Sequence, residues 1–209
     1  MISLNHSHFF LPTTQFRQLA ILLALHHEPN LSQHRIAAQC HMSSAMAHQY
    51  IRTLHKKELI LVQARNKRDR AYRLTDSGRQ WLFSLLMRCS AEIVQLYAQA
   101  KVELIEKFSK LFGNQPGSRI VLFGGSETAS LVIQALHQVP AVTIAGIVDN
   151  DPSKWSTCLE GIPIQSPDNL EGLDPTAIVI ASFAKHKEIH DSIRHLENKG
   201  ITICTLASI

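Results

Sequence analysis

Apolar residues recur at helical spacing in three short segments near the start of the chain. The first is Thr14–His27, and Pro29 ends it because proline disfavours a helical conformation in the residue before it. A second short helix is expected over Gln33–Cys40. After a tight turn, Ser43 is placed to cap a third helix that extends to about Lys57. Two short helices joined by a tight turn predict a helix–turn–helix.

The third helix has an apolar and a polar side. Ala47, Ile51 and Leu54 fall at helical spacing and are expected in the core, with Met46 or Tyr50 flanking them. The opposite side then faces outward, and in a helix–turn–helix this side enters the major groove. Glutamine can address adenine, and arginine guanine, through paired hydrogen bonds. The residues expected to contact bases are Ser43, Ser44, His48, Gln49 and Arg52.

Two strand-like segments follow, Leu59–Val62 and Ala71–Leu74, and a basic tip separates them. Apolar strands around a tight basic tip predict a hairpin wing that lies along a phosphate backbone or in a minor groove. A basic run is often only a solvated surface, but this one directly follows the third helix. The residues expected to contact phosphates are Lys56, Lys57, Arg65, Lys67, Arg68 and Arg70.

This part of the chain resembles the MarR-like winged helices over about residues 14–90. The segment from Tyr72 to Gly78 is similar to the end of the wing in that family, where Leu-Thr is followed by Gly and a new helix. The segment from Met42 to Ile60 looks like the family's recognition helix and the turn into its wing, with Glu58 at the usual glycine. The resemblance implies a dimeric transcriptional regulator that binds double-stranded DNA.

A long helical pattern without Pro or Gly follows over about Arg79–Phe112 and ends at the break Gly113–Gly117, so that the long helix is assigned residues 79–113 as a linker segment. Its apolar stripe has a heptad-like spacing. Two interpretations stay open: the helix packs on its own two domains, or it pairs with a second copy in a homodimer. The stripe consists of Leu82, Leu86, Cys89, Ile93, Leu96, Ala100, Leu104, Phe108 and Leu111.

Residues 118–209 alternate apolar strand-like runs with helical patterns, which is typical of an α/β fold with a parallel sheet. Arg119–Phe123 runs into a glycine turn and a helix, the arrangement that places backbone N–H groups against a phosphate. A second strand ends at Asp149, where an acid can accept from ribose hydroxyls. Either this half binds a nucleotide-type ligand, or it is purely structural. The expected ligand residues are Gly124, Gly125, Ser126, Glu127, Asp149, Asn150 and Ser182.

This half resembles the Rossmann-like domains at the front of sugar acetyltransferases and in nucleotide-sugar enzymes. The shared features are the strand–glycine–helix start, the run Val148–Pro152, the run Gly161–Ile164 and a late apolar strand ending in Ser182. The resemblance implies a nucleotide or nucleotide-sugar as ligand. The order of the two domains also resembles that of the Rex repressors, which bind NADH, but Ser126 stands where a dinucleotide motif has its second glycine.

Charge divides the chain in the same way. Residues 1–90 hold 12 of the 21 Lys and Arg but only 4 of the 17 Asp and Glu, so they carry a net +8 and the remainder carries −4. A basic first part suits a polyanion. The four cysteines are scattered without a CxxC, which indicates reduced thiols. With no signal peptide and no membrane-spanning run in the sequence, we expect a cytoplasmic protein.

The sequence predicts neither catalytic residues nor a metal site. His186 and His190 lie one helical turn apart without a third ligand, and five histidines spaced by seven from His27 to His55 cannot share one helix face. The expected fold is an α+β winged helix (14–78) after a flexible segment (1–13), then the long helix and an α/β Rossmann-like domain (118–209). We expect a non-enzymatic regulator with a small-molecule effector; the alternative is a nucleotide- or nucleotide-sugar-metabolising enzyme with a DNA-binding tether.

Overall fold

The computed structural model describes residues 13–64, 70–115, 117–140 and 142–206, and the chain divides into two compact units. Unit 1 extends to Val94 and unit 2 begins at Gln95. The predicted fold class is confirmed: a winged helix comes first, then a long helix, then an α/β domain with a mostly parallel sheet. Apart from Thr13, the predicted flexible N-terminus lies outside the described residues.

Unit 1 contains the predicted helix–turn–helix and hairpin. The sheet has the order β1–β3–β2, and both pairings are antiparallel. The short strand β1, which the sequence did not indicate, pairs Leu31 with Tyr72 and so adds a third strand to the wing. The elements are α1 (Thr14–His27), β1 (Leu31–Ser32), α2 (Gln33–Gln39), α3 (Ser44–Lys56), β2 (Ile60–Ala64) and β3 (Arg70–Leu74).

Serine caps fix where α2 and α3 begin. The Ser32 side chain accepts from the Arg35 N–H at 3.4 Å, and the Ser43 side chain accepts from the Met46 N–H at 3.2 Å. These caps satisfy donors that have no partner inside the helix. The predicted inner residues Ala47, Ile51 and Leu54 are buried, together with Leu22 and Ile36, in one apolar core.

The turn from α3 into the wing explains the Leu-Thr-x-x-Gly sequence that follows it. Glu58 adopts φ 58°, the left-handed conformation that a glycine would adopt more easily. The Thr75 hydroxyl donates to the Glu58 carbonyl at 2.8 Å and accepts from the Gly78 N–H at 2.8 Å. A Cβ on Gly78 would lie 1.9 Å from the Leu59 carbonyl oxygen, so only glycine fits there. One threonine thus joins the turn after α3 to the start of the helix that follows the wing.

The long helix α4 spans Asp76–Phe112 and begins three residues before the predicted start. Near its first end Leu82 and Leu85 are buried in the core of unit 1, and near its last end Phe108 and Phe112 are buried in the core of unit 2. Every residue from 91 to 100 is exposed. Within the apolar stripe, Leu82 and Phe108 are therefore buried in the two units, whereas its middle, from Ile93 to Ala100, and its last member, Leu111, are exposed.

Unit 2 is a six-stranded sheet with the order β6–β7–β5–β4–β8–β9, parallel except for the short edge strand β6. Its apolar residues pack on both faces: Ile120 and Leu122 point to one core, and Val121 and Phe123 to the other. The elements are β4 (Ser118–Phe123), α5 (Glu127–Leu136), β5 (Val142–Val148), β6 (Cys158–Leu159), β7 (Ile162–Gln165), β8 (Ala177–Ile180), α6 (His186–Ile193) and β9 (Thr202–Thr205), with 3₁₀ turns between some of them.

The strand order places a crevice at the carboxyl ends of the neighbouring strands β4 and β8. From β4 the chain proceeds through β5 to β7 on one side, and then crosses to β8 and β9 on the other. Where the order reverses, the loops after β4 and β8 turn in opposite directions, and ligands of open α/β sheets bind in the space between them. We call this space, between the segments 124–127 and 181–185, the crevice.

Candidate DNA interface and ligand crevice

The outer side of α3 presents the residues that the sequence selected for base contacts. Ser44, His48, Gln49 and Arg52 are all exposed on this helix. Ser43 lies one residue before the helix and serves as its N-cap. The face therefore combines hydroxyl, imidazole, amide and guanidinium groups, which are the groups that bond to base edges.

The predicted phosphate contacts divide into described and undescribed residues. Lys56 and Lys57 are exposed at the carboxyl end of α3, where a cation is also favoured by the helix dipole. Arg70 is exposed at the start of β3. Arg65, Lys67 and Arg68 lie outside the described residues. An additional cation that the sequence did not single out, Arg73, is exposed further along β3.

A cavity of about 420 Å³ opens at the base of the wing, where the sequence predicted no site. Its lining combines the cationic side chains Arg73 and Arg79 with His26 and the apolar Leu61 and Leu74. Arg79 is already paired with a carboxylate, that of Asp76. The cavity adjoins the end of α1, the strands β2 and β3 and the start of the helix that follows them.

In unit 2, Asp149 and the glycine turn bond to each other, a contact that the sequence did not predict. Asp149 Oδ2 accepts from the Gly125 N–H at 2.6 Å and from Lys154 Nζ at 2.8 Å. Its Oδ1 accepts from the Asp151 N–H at 2.9 Å, and its backbone carbonyl accepts from Trp155 Nε1 at 2.7 Å. The side chain is 11% exposed. The carboxylate thus ties the turn after β4 to the loop after β5.

The ionisation of Asp149 follows from these contacts. Burial by itself raises the pKa of Asp149, but hydrogen bonds from Lys154, Gly125 and Asp151 and the charge of Lys154 outweigh it, so the pKa lies below its ordinary value. A carboxylate offers about four acceptor positions. Three are occupied by the bonds described above, which leaves one position without a protein donor among them. The Gly125 N–H is already bonded and would not be available to a phosphate.

The two glycines of the turn are needed for different reasons. Gly124 adopts φ 114°, a conformation strained for any residue with a Cβ. A Cβ on Gly125 would lie 2.6 Å from Ile164 Cδ1, so this glycine allows the turn to pack on β7. Neither reason involves a ligand, although the sequence associated both glycines with one.

Three of the remaining predicted residues, Ser126, Glu127 and Ser182, lie in the two segments that bound the crevice. Ser126 and Glu127 are exposed at the start of α5, and the Ser126 side chain makes no capping bond to that helix. On the other side, the Ser182 hydroxyl oxygen accepts from the Lys185 N–H at 3.2 Å. Phe183, which the sequence did not indicate as a ligand residue, is 63% exposed beside it. Asn150 is also exposed, in the loop that follows Asp149.

Two family models match the chain, one in each unit. A model described as winged helix–turn–helix DNA-binding matches residues 17–60, and a model described as C2185-like, N-terminal, matches residues 117–203. The first confirms that the chain carries a winged helix–turn–helix DNA-binding domain. A search of curated proteins finds no match.

Similar solved structures cover parts of the chain. The PcaV transcriptional regulator from Streptomyces coelicolor is 24% identical over 38% of this chain and 59% of its own, with a TM-score of 0.35. The MarR family regulator SPO1453 from Silicibacter pomeroyi is 23% identical over 40% and 60%, with a TM-score of 0.33. UDP-D-quinovosamine 4-dehydrogenase from Vibrio fischeri is 19% identical over 42% and 76%, with a TM-score of 0.38.

The chain spans about three fifths of the length of these two regulators. The likeness of its domain order to that of the Rex repressors stays an interpretation of the sequence. Within the described residues, no helix has the length and apolar character needed to cross a membrane, and no group of three His, Cys, Asp or Glu side chains is arranged to hold a metal ion.

Proposed function

We propose that this protein is a transcriptional regulator that binds DNA as a homodimer and responds to a nucleotide-type ligand in unit 2. The observation that carries the first part is the exposed polar side of α3 in a domain that matches a DNA-binding model. Ser44, His48, Gln49 and Arg52 contact base edges, and Lys56, Lys57 and the basic wing contact phosphates. This division of roles predicts both sequence preference and a strong dependence of affinity on salt.

The test of DNA binding uses the full chain and two kinds of duplex. Fluorescence anisotropy compares DNA from upstream of the protein's own gene with random duplex of the same length, at physiological salt. We expect preference for the upstream DNA by a factor of about 10³ or more, the usual margin of a specific site. Equal affinity for both duplexes would contradict sequence-specific regulation.

The exposed middle of α4 supports the homodimer. Ile93, Val94, Leu96 and Tyr97 are large apolar residues with 38–64% of their surface exposed, and contiguous apolar patches of this kind mark interaction surfaces. A dimer presents two recognition helices to two half-sites of a palindrome. We expect a mass in solution of twice the 23.4 kDa of the chain by sedimentation equilibrium.

Glutamate substitutions test which side of α4 pairs. Ile93→Glu with Leu96→Glu should produce a monomer. Val102→Glu is the matched control, since Val102 is also exposed but lies nine residues further along, on the opposite side of the helix from Ile93. Val102→Glu should stay dimeric. A monomeric wild type, or dissociation by Val102→Glu alone, would contradict this pairing.

The crevice supports a nucleotide or nucleotide-sugar as the effector. It combines the backbone N–H groups at the start of α5, the Ser182 hydroxyl, the exposed ring of Phe183 and the cation Lys185. Helix N-termini and cations favour phosphate, and an exposed aromatic ring offers a surface on which a base can stack. The remaining acceptor position of Asp149 suits one ribose hydroxyl.

A thermal-shift screen of the full chain tests the effector with nucleotides, nucleotide-sugars, NAD(H) and coenzyme A. A ligand that binds only the folded protein raises the melting temperature. Ser182→Ala should reduce the shift, and Asp191→Ala, on the exposed side of α6, should not. If none of the compounds raises the melting temperature, the proposal that unit 2 binds an effector is contradicted. Turnover of a nucleotide-sugar would instead support the enzyme alternative.

A bound effector acts on DNA affinity only if it favours one arrangement of the protein over another. By linkage, DNA must then change the affinity for the effector by the same factor. We expect the DNA dissociation constant to change about 5- to 150-fold at saturating effector, the usual range of such coupling. Equal DNA affinity with and without a bound effector would show that the ligand does not regulate.

A further inference from the structure

Gln33, the first residue of α2, connects the two helices of the helix–turn–helix at the DNA-facing side. Its Nε2 donates to the Ser44 carbonyl at 3.3 Å, and its Oε1 lies 3.1 Å from His48 Nδ1. Gln33 is half-buried, whereas Ser44 and His48 are exposed. The residue was not among those that the sequence selected for DNA contact, because it belongs to the helix that precedes the recognition helix.

The orientation of the Gln33 amide follows from elementary hydrogen-bond chemistry. A backbone carbonyl can only accept, so the end of the amide next to the Ser44 carbonyl must be the NH₂ group. The other end is then the amide oxygen, which also only accepts. His48 Nδ1, 3.1 Å from that oxygen, must therefore carry the proton of this bond.

A neutral imidazole has one N–H and one lone pair, so the tautomer fixes what the other nitrogen can do. With the proton on Nδ1, Nε2 of His48 is an acceptor. The major groove offers it two kinds of donor, the N6 amino group of adenine and the N4 amino group of cytosine. Guanine presents only acceptors at N7 and O6 in this groove, and they would meet the lone pair of Nε2.

We propose that Gln33 is a positioning residue that holds His48 in the Nδ1–H tautomer, so that Nε2 of His48 selects a base carrying a major-groove amino group. The inference rests on the proposed function, since it takes α3 as the recognition helix. It adds a residue outside that helix to the determinants of specificity. A histidine with its proton on Nε2 would donate from that nitrogen and so favour an acceptor such as guanine O6 or N7, whereas His48 in the proposed tautomer disfavours guanine.

The tautomer is measurable without DNA, by long-range ¹H–¹⁵N spectra of the full chain labelled at histidine. A signal that disappears in His48→Ala identifies the residue. We expect His48 Nδ1 to give the shift of a protonated nitrogen and Nε2 that of an unprotonated one, at about pH 8, where free imidazole is neutral. Gln33→Met removes both polar atoms and should abolish this preference for Nδ1–H.

Gln39→Met is the matched control for this measurement. Gln39 lies on the same helix, but its amide bonds to Glu28 Oε2 at 3.0 Å. Its substitution should leave the His48 signals unchanged. A proton on Nε2 in the wild type, or an unchanged tautomer in Gln33→Met, would overturn the proposal even if the protein binds DNA as proposed.

Selection from randomised duplexes at about pH 8 tests the consequence for specificity. His48→Ala should relax the preference at one base pair by about tenfold, the size expected for loss of one base contact. In the wild type that position should carry adenine or cytosine on the contacted strand, and the sequences selected decide between the two. Gln33→Met should relax the same position, and the double variant should be no worse than His48→Ala alone.

Three outcomes would overturn this part. Guanine or thymine at the position that His48→Ala relaxes, relaxation of a different position by Gln33→Met, or additive effects in the double variant each exclude the assigned role. A merely structural role for Gln33 would lower affinity for all duplexes without changing base preference. If the wild type selects no sequence at all, the proposed function itself fails, and the spectra alone then report on the link between Gln33 and His48.

Discussion

Helix α3 of unit 1 and the glycine turn of unit 2 hold the two groups of residues that the sequence assigned to binding. The contacts of these residues differ between the two units. On α3 the polar residues Gln49 and Arg52 are exposed, because Ala47 and its neighbours complete the core without them. In unit 2, Gly125 and Asp149 bond to each other. A polar helix face is what remains after a core is formed, whereas a glycine turn with a nearby acid serves the fold and a ligand equally well.

Asp149→Ala should have the largest effect on folding, because three hydrogen bonds meet at this carboxylate. The substitution leaves the buried Gly125 N–H without an acceptor and separates Lys154 from its partner. We expect the free energy of unfolding of unit 2 to fall by about 3 kcal/mol, from loss of these bonds together. Urea unfolding followed by the fluorescence of Trp155, in a Trp81→Phe background, measures it. Asp191→Ala is the exposed control, and an equal effect there would contradict the assignment.

Gly125→Ala should have the next largest effect and lower the free energy of unfolding of unit 2 by about 2 kcal/mol. The added methyl group would lie 2.6 Å from Ile164 Cδ1 in a packed region. Gly172→Ala is the matched control, because a Cβ there meets nothing within 4 Å. The same unfolding experiment compares the two variants. If Gly125→Ala is as stable as Gly172→Ala but loses effector binding, the glycine is kept for ligand approach and not for packing.

Arg52→Ala should leave folding unchanged and alter DNA binding, which is the opposite outcome to that in unit 2. Its side chain is exposed, so we expect a change in unfolding free energy within about 0.5 kcal/mol. Discrimination at one base pair should fall by about tenfold. Competition between the selected duplex and single-base variants measures it. A uniform loss over all duplexes would instead make Arg52 a phosphate contact.

The success of the sequence in unit 1 has a local cause. The capping serines of α2 and α3 and the apolar residues of each helix lie within a few positions of each other in the sequence. Short segments of sequence are therefore enough to predict where these helices begin and end. The strand β1 was missed because two residues, Leu31 and Ser32, carry no periodicity, and only their pairing with β3 defines them. Gln33 was also missed, because its contacts with His48 and Ser44 depend on how two helices pack against each other. No short segment of the sequence specifies that packing.

In unit 2 the alternation of apolar strands and helices predicts a parallel sheet, but the strand order, and with it the position of the crevice, comes only from the structure. The pattern also does not supply the set of partners. The bond between Gly125 and Asp149 joins residues 24 positions apart, and the contact of Gly125 with Ile164 depends on which strand lies beside β5. A glycine motif specifies a tight turn, but the neighbours decide whether the turn approaches a ligand or a side chain.

Lys57→Ala should change the base specificity of DNA binding less than Arg52→Ala does. It should measurably reduce the salt dependence of the DNA affinity. Lys57 is exposed at the end of α3, so its loss removes one phosphate contact and leaves base contacts in place. The slope of log affinity against log salt should fall by about 0.9 for a single contact. Glu58→Ala, one position further along, removes an acid and should not reduce the slope. An unchanged slope for Lys57→Ala would place this lysine away from the DNA.

The smallest predicted effect is a pH dependence of stability that Asp149 gives to unit 2. The pKa of Asp149 is lowered in the folded protein, so the stability it contributes is complete above the ordinary pKa of aspartate, about 3.9, and is lost as pH falls through the lowered value. The difference in unfolding free energy between the wild type and Asp149→Asn should therefore be constant from about pH 7 to pH 5 and shrink below about pH 4. Trp155 fluorescence in the Trp81→Phe background follows unit 2. A difference that stays constant to the lowest pH at which the protein folds would show that the carboxylate charge does not stabilise the turn, and its hydrogen bonds alone would remain as the link between Asp149 and Gly125.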